Sequence, residues 1–314
     1  MPLDRTGTDS ARAIQSVLDQ QTGHAFELIL VGTEVPEIAD PRVQRVAMAE
    51  RNPARRRNEA SRIASGVILA FIDDDAFAET RWIESAIALM TTDGSILAVG
   101  GPDRAPDDSR VAELISETLL STPLIGSGIL CHEGPEGTRE VRSPTDLALV
   151  NLFVRKRDFD AVGGFDEQIG YIGEDTTLLA RLLEKGRVVY SDQIVVRHRR
   201  RPFPAGYLRQ RWRYRVKTGS MMLGSSATYR RNPKILLFLV CCVAFMVLAV
   251  VSWRVAALVL LLYAALTVAL AVPGTRLPAR WWPAIPLAFA LHHATYFFGM
   301  LTGMIRSLFA GKRS

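Results

Sequence analysis

Cysteine is scarce in this chain. Only Cys131, Cys241 and Cys242 occur in 314 residues, too few and too scattered for a disulfide framework or a zinc site, and two of them lie in an apolar run. A reducing compartment fits that usage. Also lacking is an apolar core at the start: Met1-Pro2-Leu3-Asp4-Arg5-Thr6-Gly7 is polar, which excludes a signal peptide there and predicts a cytoplasmic soluble part. Acids are missing from Arg197 to Lys217, where nine Lys and Arg residues are interleaved with Phe203, Tyr207, Trp212 and Tyr214. Such a stripe can mark nucleic-acid binding. Here it lies just upstream of an apolar span, so anionic lipid heads or a lipid-linked phosphate are the expected contacts and no nucleic acid is.

What the chain has is apolar length. With 48% hydrophobic residues and a formal net charge of +6, it holds one sizeable domain plus a membrane part. Ile235 to Trp253 and Val255 to Val272 are each long enough, at ~1.5 Å per residue, to cross a bilayer. A third candidate runs from Pro283 to Ile305, and Trp253, Trp281 and Trp282 lie at the ends, where aromatic belts sit. Arg230, Arg231 and Lys234 place the preceding domain in the cytoplasm by the positive-inside rule, whereas three spans would put Arg306, Lys312 and Arg313 outside. In the last span, His292 and His293 are expected to bond between helices, with an acceptor-lipid role as the alternative. Gly299 and Gly303 are expected to pack on the first two spans or on a second copy.

The most informative stretch is Gly66-Val67-Ile68-Leu69-Ala70-Phe71-Ile72-Asp73-Asp74-Asp75, which predicts a strand buried on both faces with carboxylates at its carboxyl end. Adjacent carboxylates repel, so a cation such as Mg²⁺ or Mn²⁺ is the natural compensation, with helix capping as the alternative. Around it the pattern predicts helix Asp9–Gln20, strands near Phe26–Val31 and Val43–Val46, a basic helix Asn52–Ser65, helix Thr80–Met90 and strand Ile96–Gly101. The basic helix carries Arg55, Arg56, Arg57, Asn58 and Arg62, read as diphosphate contacts or a solvated face. A long polar section containing Gly126-Ser127-Gly128 reads as a loop or lid. Strand Leu147–Val154 contains Asn151. After it come Gly163-Gly164-Phe165-Asp166-Glu167 and then Gly173-Glu174-Asp175, two acids opening a helix whose dipole keeps them ionised unless they serve only as caps. Strand Val188–Val196 leads to His198.

As an ordered set over Arg12 to Gly219, these motifs resemble family 2 glycosyltransferases, and the apolar tail resembles bacterial envelope and exopolysaccharide members. The resemblance implies an α/β, GT-A (Rossmann-like) nucleotide-sugar-binding domain with a mainly parallel sheet over residues 1–219. A basic linker over 220–234, about three membrane helices over 235–306 and a tail over 307–314 would follow. It implies that Asp73 and Asp75 hold the cation on the donor diphosphate, with His198 as a further ligand. Asp175 becomes the base for the acceptor hydroxyl and Glu174 its partner. Arg55, Asn58, Asp73, Asp74 and Asn151 face the nucleotide-sugar donor, while Arg209, Arg211 and Trp212 face the acceptor phosphate or lipid heads. The expected activity is inverting transfer (EC 2.4) to a lipid-linked or envelope glycan acceptor at the plasma membrane, with an oligomer through the membrane helices. Two departures are visible: no opening strand before Asp9, and Gly32 where the family has an acid, which bring in a catalytically impaired assembly partner as the alternative. Leu208, at the glutamine position of Gln-x-x-Arg-Trp, argues for single-sugar transfer rather than a processive synthase.

Overall fold

Strands and helices alternate from the first residues. The computed structural model describes residues 1–3, 7–126, 129–169, 172–223 and 233–310. It divides into two compact units, Met1–Asp108 with Ser127–Arg199, and Ser109–Gly126 with Arg200–Ser314.

In the first unit, Pro2–Leu3 (β1) lies parallel to Leu28–Gly32 (β2), and β2 lies parallel to Val43–Ala47 (β3). The expectation that no strand precedes Asp9 is therefore corrected. Gly32 explains how so short a strand fits: a Cβ there would stand 2.7 Å from the Leu3 carbonyl oxygen. The residue that departs from the family pattern is thus the one that admits β1. Helix α1 (Thr8–Leu18) buries Ala13, Ile14 and Val17, as its spacing predicts. Helix α2 (Pro53–Ile63) starts where Asn52 accepts from the Ala54 N–H at 2.9 Å, with proline at the first helical position. Its arginines do not share one solvated face. Arg55 and Arg62 are exposed, but Arg56 is buried and donates to the carbonyls of Leu3 (3.0 Å) and Glu50 (2.6 Å).

The chain continues through β4 (Ile68–Phe71), β5 (Ala76–Ala78), α3 (Trp82–Thr92), β6 (Ile96–Gly100) and β7 (Asp103–Arg104). Helix α4 (Val111–Ser121) belongs to the second unit. The first unit resumes with α5 (Leu130–Glu133), β8 (Thr138–Glu140), a 3₁₀ turn (Leu149–Asn151), β9 (Leu152–Arg155) and α6 (Lys156–Ala161), and ends with α7 (Glu174–Lys185), β10 (Arg187–Ser191) and β11 (Val196–His198). One sheet has the order β4-β9-β6-β10-β8 and a smaller one β5-β11-β7. Parallel pairing is confined to the first sheet, β6–β10 and β7–β11, so the larger sheet is mixed rather than mainly parallel. Strand β4 pairs with β9 and is not buried on both faces: Val67 just before it is 81% exposed, and Ala70 is exposed as well.

The second unit is helical. With α4 it contains α8 (Ala205–Leu223), α9 (Pro233–Val251), α10 (Trp253–Ala271) and α11 (Ile285–Ala310). Trp253–Gly274 and Ala279–Phe309 are long and apolar enough to cross a membrane, and Ile235–Val251 is a shorter apolar helix. The polar section read as a loop thus conceals α4, whose Leu119 and Leu120 bury beside Tyr207, Ala288 and Phe289. Helix α8 is part of this unit, so compaction does not divide at residue 219. It lies along α11 where Gly299 and Gly303 leave room: a Cβ on Gly299 would come 2.8 Å from Arg215 Cβ, and one on Gly303 would strike the Val216 carbonyl. The glycine face is occupied by this chain's own α8, not by the first two spans or a second copy. The histidines do bond between helices, His292 Nδ1 with the Tyr207 hydroxyl at 2.7 Å and His293 Nδ1 with that of Tyr263 at 2.8 Å. Arg230, Arg231, Lys234, Lys312 and Arg313, the charges expected to set orientation, lie outside the residues whose side chains are described, as do Ser127 and Gly128.

Candidate active site

The turn after β4 presents Asp73, Asp74 and Asp75, and α2 supplies the side chain that organises them. Arg57 is buried; its Nη2 donates to Asp73 Oδ1 at 2.7 Å and its Nη1 to Glu174 Oε1 at 3.4 Å. One guanidinium therefore joins the acidic triplet to the acidic pair that opens α7, 101 residues further along from Asp73 to Glu174. A fixed cationic fork between two carboxylates keeps both in place and offsets their repulsion.

Gly173, with φ of 98°, caps α7, so Glu174 and Asp175 occupy its first turn. Glu174 is buried, and its carboxyl is pushed up to about 7, by burial first and then by the neighbouring Asp175 charge, with Arg57 opposing. Burial also raises the Asp175 carboxyl, against the backbone N–H and hydroxyl of Thr176, which donate to its Oδ1 at 2.7 and 3.3 Å. A carboxylate held above its ordinary range is a better proton acceptor at neutral pH than a free one.

On the other side of the triplet, His198 ends β11 with Nε2 3.3 Å from Asp75 Oδ1. Its Nδ1 faces Asp103 Oδ2 at 3.4 Å, and Asp103 Oδ1 holds His132 Nδ1 at 2.6 Å. An Nδ1–H donated to buried Asp103 leaves the Nε2 lone pair toward Asp75. The 3.3 Å separation is close to the ~3 Å edge of an octahedral site with bonds of ~2.1 Å, so these residues fit a shared divalent cation. Asp103, Cys131 and His132 form a second group of potential ligand atoms, all within 4.8 Å of one another.

Other expected donor contacts are differently employed. Asn151 sits in the 3₁₀ turn, 1% exposed; its Oδ1 accepts from Trp82 Nε1 at 2.8 Å, and its Nδ2 donates to the carbonyls of Pro102 (3.1 Å) and Ile194 (2.6 Å). Every polar atom of the amide is used inside the fold, so it does not reach a donor. Asn58 tethers the Gly163-Gly164-Phe165 loop, exchanging bonds of 2.9 Å with the backbone of Phe165 and donating to Glu167 Oε1. Arg55 is exposed and paired with Glu50 (3.0 Å) and Glu167 (3.2 Å). Arg209, Arg211 and Trp212 belong to α8: Arg209 and Trp212 are exposed, and Arg211 is buried. Arg57 was one of five basic or amide residues in its run. Its position three after Ala54 and four before Ser61, on one buried helix face, is the signal that separates it from Arg55.

Residues 10–132 match the family model described as glycosyl transferase family 2. Among solved structures, this chain resembles the mannosyltransferase PcManGT from Pyrobaculum calidifontis, in complex with GDP-Man and Mn²⁺, with a TM-score of 0.59 at 16% identity over 95% of this chain and 85% of that one. It also resembles GalNAc-T7 with UDP, GalNAc and Mn²⁺, with a TM-score of 0.50 at 14% identity over 72% of this chain and 51% of that one. These likenesses give the GT-A fold. A curated relative, the glucosyl-dolichyl phosphate glucuronosyltransferase of Haloferax volcanii, is 29% identical over 153 residues, 46% of either chain. The chain thus spans about half the length of the curated relative it matches.

Proposed function

We propose that the chain is an inverting glycosyltransferase that moves one sugar from a nucleotide-sugar donor to a lipid-linked or envelope glycan acceptor at the membrane, its first unit in the cytoplasm. The observation that carries this reading is the Arg57 bridge between Asp73 and Glu174, which gathers the acidic triplet and the acidic pair into one site. The family match, the nucleotide-bound neighbours and the lipid-phosphate enzyme among the relatives support the donor and acceptor classes. The apolar helices support a multi-pass plasma-membrane location.

Asp73, Asp75 and His198 would hold a divalent cation, Mn²⁺ or Mg²⁺; when bound, it supplies positive charge for the departing diphosphate. The imidazole in the set favours Mn²⁺ over Mg²⁺. Asp175 takes the proton of the acceptor hydroxyl as its oxygen bonds to the anomeric carbon and the bond from that carbon to the diphosphate oxygen breaks. Glu174 and Arg57 fix the electrostatic setting of that carboxylate, and Asp74 borders the donor.

Turnover of a panel of sugar nucleotides by the purified full chain, with and without Mn²⁺, tests the reading. Cation-dependent turnover that disappears in Asp75→Asn is expected. No turnover with any sugar nucleotide would leave the alternative, a non-catalytic membrane partner that keeps the fold.

A further inference from the structure

The second unit contains charged groups that the proposed reaction does not use. Tyr207, Arg211, Tyr214 and Arg215 follow one another at helical spacing along α8. The Arg211 guanidinium carbon is 5.6 Å from the Tyr207 ring centre and 4.9 Å from that of Tyr214, and the Arg215 carbon is 3.8 Å from the ring centre of Tyr296 on α11. Tyr207 in turn bonds His292, whose ring centre is 6.5 Å from that of Tyr296. Two guanidinium groups and an imidazole are thereby collected around three tyrosines.

Stacking serves the flat faces of the guanidinium groups, but their N–H bonds lie in the plane and need acceptors at the edge. These edges are poorly served. Arg211 Nη2 donates to Gln210 Oε1 at 3.2 Å, yet Arg211 Nε, Arg215 Nε and His292 Nε2 are all buried with no hydrogen-bond partner. In the tautomer in which the Tyr207 hydroxyl donates to Nδ1, the imidazole hydrogen sits on Nε2 and is a third unmatched donor. Arg211 is 7% exposed and His292 is 2% exposed. Neither arginine has an ion-pair partner among the described residues, and of the two acids on α4, Glu117 is engaged by Arg200 and Glu113 accepts from the Arg110 N–H. A buried guanidinium without a counterion is among the costliest groups a fold can keep.

We infer that Arg211, Arg215 and His292 form a binding site for one phosphate monoester. A phosphate offers several acceptor oxygens around a compact dianion, which suits several unmatched in-plane donors better than a carboxylate or a sugar hydroxyl does. In the setting of apolar helices the source is a lipid monophosphate, the form of a lipid carrier before any sugar is attached. This choice of source rests on the proposed function; the anion site itself does not.

The test is binding of farnesyl phosphate to the detergent-solubilised full chain, by calorimetry and thermal shift, without sugar nucleotide or divalent ion. Farnesol and inorganic phosphate serve as comparisons. Farnesyl phosphate is expected to bind and raise Tm, farnesol to bind at least about tenfold more weakly, and Arg211→Leu and Arg215→Leu each to weaken farnesyl phosphate about tenfold or more. Inorganic phosphate binding as tightly as farnesyl phosphate, and lost in the same variants, would support the site with free phosphate as its source. No binding by wild type, or binding unchanged in both variants, would overturn it. Removing an uncompensated charge should leave the ligand-free Tm unchanged or higher; if it falls, Arg211→Gln supplies the same comparison without the loss of polarity. With donor and cation absent, a failure of catalysis leaves this binding intact, and a failure of this binding leaves donor hydrolysis intact.

Discussion

One pair of arginines in each unit shows opposite ways of holding a guanidinium, although the buried Arg200 of the second unit is itself paired with Glu117. In the first, Arg56 and Arg57 spend their donors on carbonyls and carboxylates of the fold, so each is a joint between segments distant in sequence. In the second, Arg211 and Arg215 are held by aromatic rings while their Nε–H groups go unmatched. A buried cation with all its acceptors positions other groups. One that is stacked but unmatched at its edge waits for a ligand.

The sharpest way to separate positioning from chemistry is Asp175→Asn. Donor binding should survive and turnover should fall by a factor on the order of 10² to 10⁴, the loss typical of a positioned base. Wild-type turnover would reduce Asp175 to a helix cap, because Asn caps a helix about as well as Asp. Next in size is Arg57→Leu against Arg211→Leu, measured as thermal unfolding of the full chain in detergent without lipid. Removing Arg57 strands Asp73 and Glu174 and should cost about 3–5 kcal/mol. Removing Arg211 should cost nothing measurable, and equal losses would erase the contrast between the units.

Glu174 gives a pH test of the same joint. Its folded-state value of about 7 lies above its ordinary 4.5, so the folded chain binds more protons than the unfolded one between those values. The stabilisation is complete below 4.5 and is lost as pH rises through 7, amounting to about 3 kcal/mol at most. Glu174→Gln should therefore gain Tm relative to wild type at pH 8 but not at pH 4.5; a pH-independent difference would contradict the burial of an ionisable pair. The smallest effect is expected at Asp103, which touches no substrate and acts through His198. Asp103→Asn should weaken Mn²⁺ binding, read by EPR, about 10- to 100-fold, and unchanged affinity would make Asp103 a purely structural acid.

Much of this was legible in advance where one residue pattern meets one environment. The run into Asp73, the amphipathic spacing of α1 and the apolar lengths of α9 to α11 each carry a local signal. What escaped depends on partners far along the chain. Helix α4 reads as part of a polar excursion because its apolar residues match helices far later in the sequence. Asn151 looked like a ligand contact because nothing local reveals that Trp82, Pro102 and Ile194 consume its amide. Arg55 and Arg57 are two residues apart and chemically identical, and only the side of the helix that meets the sheet distinguishes them. Gly32 looked like a lost acid and proved to be the space occupied by Leu3.

The placement of α4 has a consequence for biosynthesis. Its partners in the helical unit, Tyr207, Ala288 and Phe289, are translated roughly 90 to 170 residues after it. At ~5–20 residues per second, the apolar side of α4 waits some seconds in the nascent chain before it can be covered. During that interval residues 127–199 return to the strands already made, so the second unit is begun before the first is finished and completed only after it. A fragment ending at residue 199 would keep α4 without its cover, and aggregation of such a fragment would report on this helix rather than on any instability of the first unit.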